Sequence, residues 1–266
     1  MMENITKIIT DEMKLPSTQP YSEEEYLKSR CDSYNSTTGN LNEKDGFNCE
    51  FCRNKGHYML TVDGELRSRP CPKCSNIRKS IHFLRKSGLS KCTFESFKTE
   101  NEWQRNLLQT VRNYSANFVD KWLFIGGQSG SGKTHLCTAV LQELVFNHRK
   151  EILLFEWAEK SKKLKQLIND PKYDEELSRY KSVSVLYIDD LFKVKRGETA
   201  TAADVNLAFE LLDYRDRENL TTIISSEFSI DDIISIDEAT GGRIKYRAQE
   251  YALHIGKDRG KNYRLK

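Results

Sequence analysis

Five short apolar runs alternate with longer amphipathic stretches along the last two thirds of the chain. The runs are rich in β-branched and aromatic residues and have the length of buried strands. They read WLFI from 122, ILLF from 152, VSVLYI from 183, TTIIS from 221 and YALHI from 251. Helical patterns separate them, as at 133–149 and 202–218. Helices between strands predict an α/β fold, with a parallel sheet flanked by helices on both faces.

The first third of the chain has a different pattern. It starts with a polar segment broken by KLPSTQP, and the SEEE at 22–25 has the spacing of a helix capping box. Further on, YMLTVDGEL predicts a small hairpin with its turn at Asp63 and Gly64. The pattern therefore predicts three segments: a helical arm at 1–45, a small module with a basic linker at 46–92, and an α/β domain at 93–266.

Composition limits the classes of protein that remain. The chain has 266 residues, 38% of them hydrophobic, with 42 Lys and Arg against 39 Asp and Glu. A net charge of +3 is too small for a protein that coats nucleic acid, so any contact with DNA must be local. No apolar run is long enough to cross a membrane, and the N-terminus lacks a signal-peptide pattern. We expect a cytoplasmic protein with no membrane contact.

The strand WLFI runs directly into GQSGSGKT, which fits the phosphate-loop pattern GxxxxGK[ST]. Glycines let successive backbone amides turn toward phosphate oxygens, and the N-terminus of the following helix adds a partial positive charge. Lys133 would reach the β- and γ-phosphates of ATP, and Thr134 would ligate Mg²⁺. The predicted nucleotide-binding residues are Gly127, Gln128, Ser129, Gly130, Ser131, Gly132, Lys133, Thr134 and His135.

A nucleotide site of this kind needs a carboxylate at the end of a neighbouring strand. VLYIDDL supplies Asp189, which would hold Mg²⁺ through its water shell, and Asp190, which could polarise an attacking water. Two acids after a strand are often only a cap or a turn. Combined with the phosphate loop, they favour hydrolysis of ATP over transfer to a second substrate.

Polar residues after a later strand and two arginines are further candidates. In TTIISSE, Ser226 and Glu227 could contact the γ-phosphate or position the water, or could simply begin a loop. Arg243 in GGRIKYR and Arg264 in NYRLK could stabilise charge on a transferred phosphoryl group.

The small module contains two CxxC pairs, Cys49 with Cys52 and Cys71 with Cys74, separated by eighteen residues. Four thiolates in a tetrahedron favour Zn²⁺, and a closed structural zinc site would order a segment too short for its own core. Four unliganded cysteines are the alternative. His57 could replace a ligand, although its place after Gly56 fits the start of a hairpin better. The other cysteines, Cys31, Cys92 and Cys137, receive no function.

Taken together, these motifs resemble the helicase-loader branch of the AAA+ ATPases, similar to the bacterial DnaC and DnaI proteins and their phage-encoded relatives. The resemblance covers about residues 90–266, through FESF, GQSGSGKTHL, LYIDDLFK, TTIISSE, GGRI and NYRL. It implies a AAA+ ATPase that escorts the ring-shaped replicative helicase onto single-stranded DNA and uses ATP as a timing switch.

The resemblance also implies residue roles. Lys133 and Thr134 match the phosphate-loop residues, and Asp189 and Asp190 match the magnesium and hydrolysis acids. Arg243 matches an arginine finger offered to an adjacent subunit, which implies a homo-oligomer in the active state. Arg264 is favoured as the second sensor over Arg247 and Arg259 because NYR matches the family's tail.

One position departs from the family, since many relatives have Asn at the sensor position occupied here by Glu227. The γ-phosphate contact could therefore fall to Ser226. In the DnaI-like branch a zinc-bearing N-terminal domain binds the helicase, and the layout here implies the same role.

Alternatives remain open at this point. Eight Lys or Arg residues and no acid between Leu66 and Phe94 could contact DNA, as could the basic stretch at 159–167, or both could be solvated surface. A transposition helper ATPase of the IstB type would share the ATPase core, although the zinc module argues against it. A nucleic-acid-binding zinc adaptor with a vestigial ATPase is the other alternative.

Overall fold

The computed structural model describes residues 22–194 and 198–265, which divide between two compact units, Met1–Ser75 and Asn76–Lys266. The polar segment up to Tyr21, including KLPSTQP, lies outside the described residues. The segment boundaries expected at 45/46 and 92/93 stay predictions.

The first unit combines helices with a two-stranded hairpin. Its helices are α1 (Glu23–Ser36) and α2 (Leu41–Asp45), and its antiparallel strands are β1 (His57–Val62) and β2 (Glu65–Pro70). Ser22 and Glu25 form the predicted capping box at the start of α1. Asp63 and Gly64 both have positive φ, 52° and 74°, as a tight hairpin turn of this kind requires. The capping box and the hairpin are confirmed.

Helix α1 is attached to the hairpin by polar contacts. The Asn35 side chain exchanges two hydrogen bonds of 2.9 Å with the backbone N–H and carbonyl of Met59, as a neighbouring strand would. The Lys55 ammonium donates to the carbonyls of Tyr34 and Thr37 at the end of α1, at 2.5 and 2.7 Å. A cation at this position satisfies carbonyls that the helix leaves without partners.

The second unit contains a five-stranded parallel sheet. Its strands are β3 (Leu123–Gly127), β4 (Ile152–Glu156), β5 (Val185–Asp189), β6 (Thr221–Ser226) and β7 (Ala252–Ile255). The spatial order β4-β5-β6-β3-β7 places β3 between β6 and β7. The carboxyl ends of β3, β5 and β6 therefore meet at one edge of the sheet, which is where α/β proteins place their ligands.

Helices connect and cover these strands. They are α3 (Ser75–Lys86), which begins at the boundary between the units, α4 (Glu102–Ala116), α5 (Lys133–Phe146), α6 (Trp157–Gln166), α7 (Lys172–Ser182), α8 (Ala202–Arg217), α9 (Ile230–Ile236) and α10 (Glu238–Ala248). On α5, Leu136, Val140 and Leu144 recur every fourth residue and are completely buried. The α/β prediction is confirmed. Among the described helices, none is both long and apolar enough to cross a membrane.

A fully buried arginine fixes one end of the sheet. The Arg215 guanidinium, on α8, donates to the hydroxyl of Thr222 at 2.9 Å and to the carbonyls of Val183 and Thr221 at 2.9 and 2.5 Å. It also donates to the carbonyls of Tyr180 and Lys181 at the end of α7. One side chain thereby joins α7, α8 and the starts of β5 and β6.

Candidate nucleotide site and cysteine cluster

The phosphate loop lies where the sequence predicts it, between β3 and α5. Gly127 has φ of 124°, and a Cβ there would overlap the carbonyl oxygen of Ile255. Gly132 has φ of 93°, and its Cβ would lie 2.8 Å from the ring of Phe97. Only glycine fits both the backbone conformation and the available space at these positions.

A cavity of about 380 Å³ opens over this loop. Its walls come from the loop, the segment before α4, the turn after β5 and the C-terminal tail. The lining residues are Ser96, Phe97, Lys98, Ser129, Gly130, Gly132, Lys133, Thr134, His135, Asp190, Lys193, Tyr263 and Arg264. Most of the predicted phosphate-loop residues and both Asp190 and Arg264 therefore border one cavity.

Lys133 is buried at the mouth of the loop. Its ammonium donates to the carbonyls of Gly127 and Gln128, both at 2.8 Å. Burial lowers the pKa of Lys133, and the nearby negative charges of Asp190 and Glu227 oppose this shift. The lysine is thus held by neutral acceptors in a position that faces the cavity.

Asp189 at the end of β5 is held by three hydroxyl groups. Its Oδ1 accepts hydrogen bonds from Thr134 at 3.2 Å, from Ser225 at 2.6 Å and from Tyr187 at 2.5 Å. Tyr187 is completely buried, and burial raises the pKa of its phenol, so it acts as a donor to the carboxylate. The two residues predicted to ligate Mg²⁺, Thr134 and Asp189, therefore lie side by side.

Asp190 begins a strained turn. Its φ is 56°, its N–H donates to the Ser225 hydroxyl at 3.0 Å, and its carboxylate pairs with the Lys193 ammonium at 2.6 Å. Lys193 also pairs with Glu227 at 3.2 Å. The candidate hydrolysis acid and the candidate sensor acid are thus joined through one lysine.

The two serines at the end of β6 point to different places. Ser225 contacts both Asp189 and the backbone of Asp190. Ser226 is buried, donates to the carbonyl of Leu191 at 2.8 Å and accepts from the N–H of Phe228 at 3.1 Å. Ser226 therefore does not line the cavity, and its proposed contact with the γ-phosphate stays a prediction.

The C-terminal tail lies against the phosphate loop. The Tyr263 N–H donates to the carbonyl of Gly130 at 2.8 Å, and Arg264 reaches the hydroxyl of Ser129 at 3.4 Å. The Gln128 side chain exchanges two hydrogen bonds with the backbone of Asp258, at 2.7 and 2.8 Å. This brings Arg264, the predicted second sensor, to the cavity over the phosphate loop.

Arg243 lies elsewhere, on α10 against α8. It pairs with Asp213 at 2.8 Å and with Asp216 at 3.1 Å, and its guanidinium lies 5.1 Å from the ring centroid of Phe209. It does not border the cavity of its own chain.

His135 ties the start of α5 to the segment before α4. Its Nε2 lies 2.8 Å from the carbonyl of Thr93 and 3.2 Å from the Ser96 hydroxyl. Its ring packs against Phe97 with centroids 5.5 Å apart. These contacts join FESF to the phosphate loop.

Sequence reasoning missed Ser225, Tyr187 and Lys193. Ile188 pairs with Ile224 in the parallel register, so the next residues, Asp189 and Ser225, adjoin. That register was not available from the sequence, although the hydroxyls on neighbouring predicted strands were a usable signal. No sequence pattern indicated that Lys193 contacts Asp190, because this contact depends on the positive φ of the turn between them.

The four cysteines of the first unit form a buried cluster. Their sulfur atoms all lie within 4.8 Å of one another, with Cys49 and Cys71 at 3.8 Å and Cys52 and Cys74 at 3.7 Å. A Zn–S bond of about 2.3 Å in a tetrahedron requires sulfur atoms about 3.8 Å apart. The Gly56 N–H also donates to the Cys52 sulfur at 3.2 Å. The cluster thus has the size and chemistry of a closed zinc site, while His57 stands at the start of β1, as expected.

Two solved structures of known proteins share the fold of the second unit. The solved structure described as the DnaC helicase loader has a TM-score of 0.53 and 21% identity, covering 64% of this chain and 99% of that one. AMPPCP-bound DnaA from Aquifex aeolicus has a TM-score of 0.50 and 20% identity, covering 62% of this chain and 50% of that one. Together with the sheet and the phosphate loop, these similarities define the fold of a AAA+ ATPase.

Sequence comparison then gives the family. The bacterial DnaA ATPase domain family matches residues 89–247, and this chain belongs to it. The phage-like element PBSX protein XkdC of Bacillus subtilis strain 168 is 30% identical over 223 residues, covering 79% of this chain and 82% of the relative. The replicative helicase loader DnaC of Escherichia coli strain K12 is 28% identical over 137 residues, which cover 48% of this chain and 55% of the relative. The chain thus spans about half of that relative. The resemblance to AAA+ helicase loaders is confirmed.

Proposed function

We propose that this chain is an ATP-hydrolysing helicase loader that acts in DNA replication. The observation that carries the proposal is the cavity over the phosphate loop, bordered by Lys133, Thr134 and Asp190, with Asp189 beside Thr134. The relatives described as replicative helicase loaders support the biological role.

The chain's own residues suggest how hydrolysis would proceed. Thr134 and Asp189 would hold Mg²⁺, which when bound neutralises charge on the β- and γ-phosphates. Lys133 would turn from the loop carbonyls to the γ-phosphate, and the amides of the loop would orient the chain of phosphates. Asp190 would accept a proton from water as that water bonds to the γ-phosphorus and the bond to ADP breaks.

Arginines would complete the charge balance. Arg264, whose guanidinium reaches the Ser129 hydroxyl, would contact the phosphates within the same chain. Arg243 lies outside this cavity, so the arginine-finger role would require its donation to a neighbouring subunit. In that arrangement ATP would sit between subunits, and the active form would be a homo-oligomer. Hydrolysis would then alter the contact between subunits.

The cysteine cluster supports a structural zinc ion in the first unit. A closed site offers no open position for chemistry, so this unit would act as a binding surface. We assign it to contact with the replicative helicase, and single-stranded DNA to the ATPase unit, with the basic run at 67–91 as an additional DNA contact. The cytoplasm, where replicative helicases work, is the expected location.

The experiment measures ATP turnover and helicase capture with the full-length chain. The purified wild-type protein should hydrolyse ATP and retain the replicative helicase of its host on an affinity resin. Lys133→Ala should lose turnover, and Cys49→Ser with Cys52→Ser should lose capture. A vestigial ATPase would show DNA binding without turnover, and failure of the wild-type chain to retain any replicative helicase would contradict the loader role.

A further inference from the structure

The turn that follows β5 is held in a strained conformation. Asp190 and Phe192 both have positive φ, 56° and 61°, in a region that non-glycine residues seldom occupy. The turn is held by hydrogen bonds from the Leu191 N–H to the carbonyl of Ser225, at 2.8 Å, and from the Lys193 N–H to the carbonyl of Asp190, at 2.9 Å. Strain of this kind persists where the surrounding structure enforces it, and it is common at functional sites.

The consequence of the turn is that Lys193 reaches back to the cavity. Its ammonium lies 2.6 Å from Oδ2 of Asp190 and 3.2 Å from Oε1 of Glu227. Lys193 and Lys133 both border the cavity, and 38% of the Lys193 side chain is exposed. A second lysine therefore stands at the cavity wall, paired with two acids.

The charged groups around Lys193 suggest what its ammonium does. Glu227 and a phosphate oxygen would repel each other, because both carry negative charge. The same repulsion applies between Asp190 and a γ-phosphate. Lys193 pairs with both acids in the described structure, and a γ-phosphate would compete with them for its ammonium.

We propose that Lys193 is a positioning residue that responds to the γ-phosphate of ATP. In the described arrangement it holds Asp190 and Glu227. When ATP is bound, its ammonium moves to a γ-phosphate oxygen, which leaves the Asp190 carboxylate to accept the hydrogen bond of the attacking water. Loss of the γ-phosphate returns the ammonium to the two acids. This inference rests on the proposed ATPase function and adds a γ-phosphate-dependent step to it.

A purely structural ion pair would behave differently. If Lys193 only stabilised the turn, its removal would weaken ATP and ADP binding alike, together with the melting temperature. If it responds to the γ-phosphate, its removal should weaken ATP binding far more than ADP binding. The ratio of the two dissociation constants therefore separates the two roles.

The test measures the dissociation constants of ATP and ADP by displacement of a fluorescent nucleotide from the full-length chain, with Mg²⁺ present. Lys193→Met and Lys193→Gln should lower the preference for ATP over ADP by about tenfold, because one charge-assisted hydrogen bond to the γ-phosphate is lost. Lys193→Arg should restore most of the preference. Lys181→Met is the matched control. Lys181 lies on α7, outside the cavity, and pairs with Glu210 at 2.6 Å.

The possible outcomes are distinct. An unchanged preference for ATP in both Lys193→Met and Lys193→Gln overturns the inference and leaves the ATPase proposal intact. A wild-type chain that binds neither nucleotide overturns both. A melting temperature recorded for each variant without nucleotide shows that it is folded, and equal losses of ATP and ADP affinity would assign Lys193 to the structural role.

Discussion

Lys133 donates to two loop carbonyls, which are neutral acceptors that a γ-phosphate would replace. We expect Lys133→Ala to reduce kcat/KM for ATP at least about a hundredfold, because the buried ammonium stabilises charge in the transition state. A phosphate-release assay on the purified full-length chain measures this, with Lys181→Ala as the control. Turnover within about threefold of the wild-type rate would show that the catalytic assignment is wrong.

Ser225 precedes Ser226 in the chain, and it is the serine that donates a hydrogen bond to Asp189. We expect Ser225→Ala to lower kcat about tenfold and to raise the Mg²⁺ concentration needed for half-maximal turnover, because it removes hydrogen bonds to Asp189 and to the Asp190 N–H. The paired variant Ser226→Ala removes a bond to the Leu191 carbonyl, and we expect its main effect to be a loss of about 1–2 kcal/mol in the free energy of unfolding.

Titration with Mg²⁺ and thermal melts of the two variants distinguish these serines. A Mg²⁺ dependence that shifts with Ser226→Ala and stays fixed with Ser225→Ala would contradict the role of Ser225 beside Asp189. At this scale, the sequence predicted that the phosphate loop follows β3 and that Asp189 ends β5, because both depend on local order along the chain. It could not distinguish the serines, since the choice depends on the pairing of β5 with β6.

At the scale of elements, the C-terminal tail packs against the phosphate loop. Residues 258–264 contact Gln128, Ser129 and Gly130 of the phosphate loop, while β7 ends earlier, at Ile255. We expect a chain truncated after Gly256 to keep its sheet and to bind ATP about tenfold more weakly, because it loses Arg264 and the contacts that fix the loop.

Isothermal titration with ATP measures this loss, and Arg264→Ala separates the contribution of the guanidinium from that of the tail. A truncated chain with the affinity of the wild type would show that the tail contacts do not support nucleotide binding. The NYR motif indicated Arg264, but only the folded tail shows that the backbone of Tyr263 also binds the loop.

Among these elements, the cysteine cluster is the one that the sequence predicted in most detail. Ligand spacing and the hairpin between the pairs are both local, so the sequence sufficed to predict the cluster. The attachment of α1 through Asn35 and Lys55 depends on contacts across about twenty residues, and no sequence pattern indicated it.

Metal removal tests the cluster. We expect one zinc ion per chain, and a strong chelator should unfold the first unit, because such a short segment depends on metal binding for its folding. Zinc analysis and far-UV circular dichroism before and after chelation measure the two effects, with Cys31→Ser as a control outside the cluster. A chain purified without zinc, or with an unchanged spectrum after chelation, would contradict the prediction.

At the scale of the whole molecule, the position of Arg243 indicates how subunits would cooperate. Arg243 is paired with Asp213 and Asp216 and stands outside its own cavity, so a catalytic role requires a neighbouring subunit. Its role as an arginine finger follows from a resemblance in GGRI, and a single chain cannot place it. The sequence could predict the α/β architecture from its periodicity, whereas an interface depends on surfaces that no pattern of one chain specifies.

Mixing inactive variants tests the shared site. We expect Lys133→Ala and Arg243→Ala to be inactive alone and to recover activity when mixed in equal amounts. Random assembly leaves about one quarter of the interfaces with both residues intact. ATP turnover over a range of mixing ratios measures the recovery. Absence of recovery, with Arg243→Lys as active as the wild type, would assign Arg243 to a structural role within its own chain.

The most direct test of the central claim is the transfer of a replicative helicase onto single-stranded DNA. The measurement counts helicase bound to circular single-stranded DNA after incubation with the full-length chain and ATP, using wild type and Lys133→Ala. We expect ATP-dependent loading by the wild-type chain and at least about a tenfold loss with Lys133→Ala. Equal amounts of bound helicase with and without the wild-type chain would contradict it.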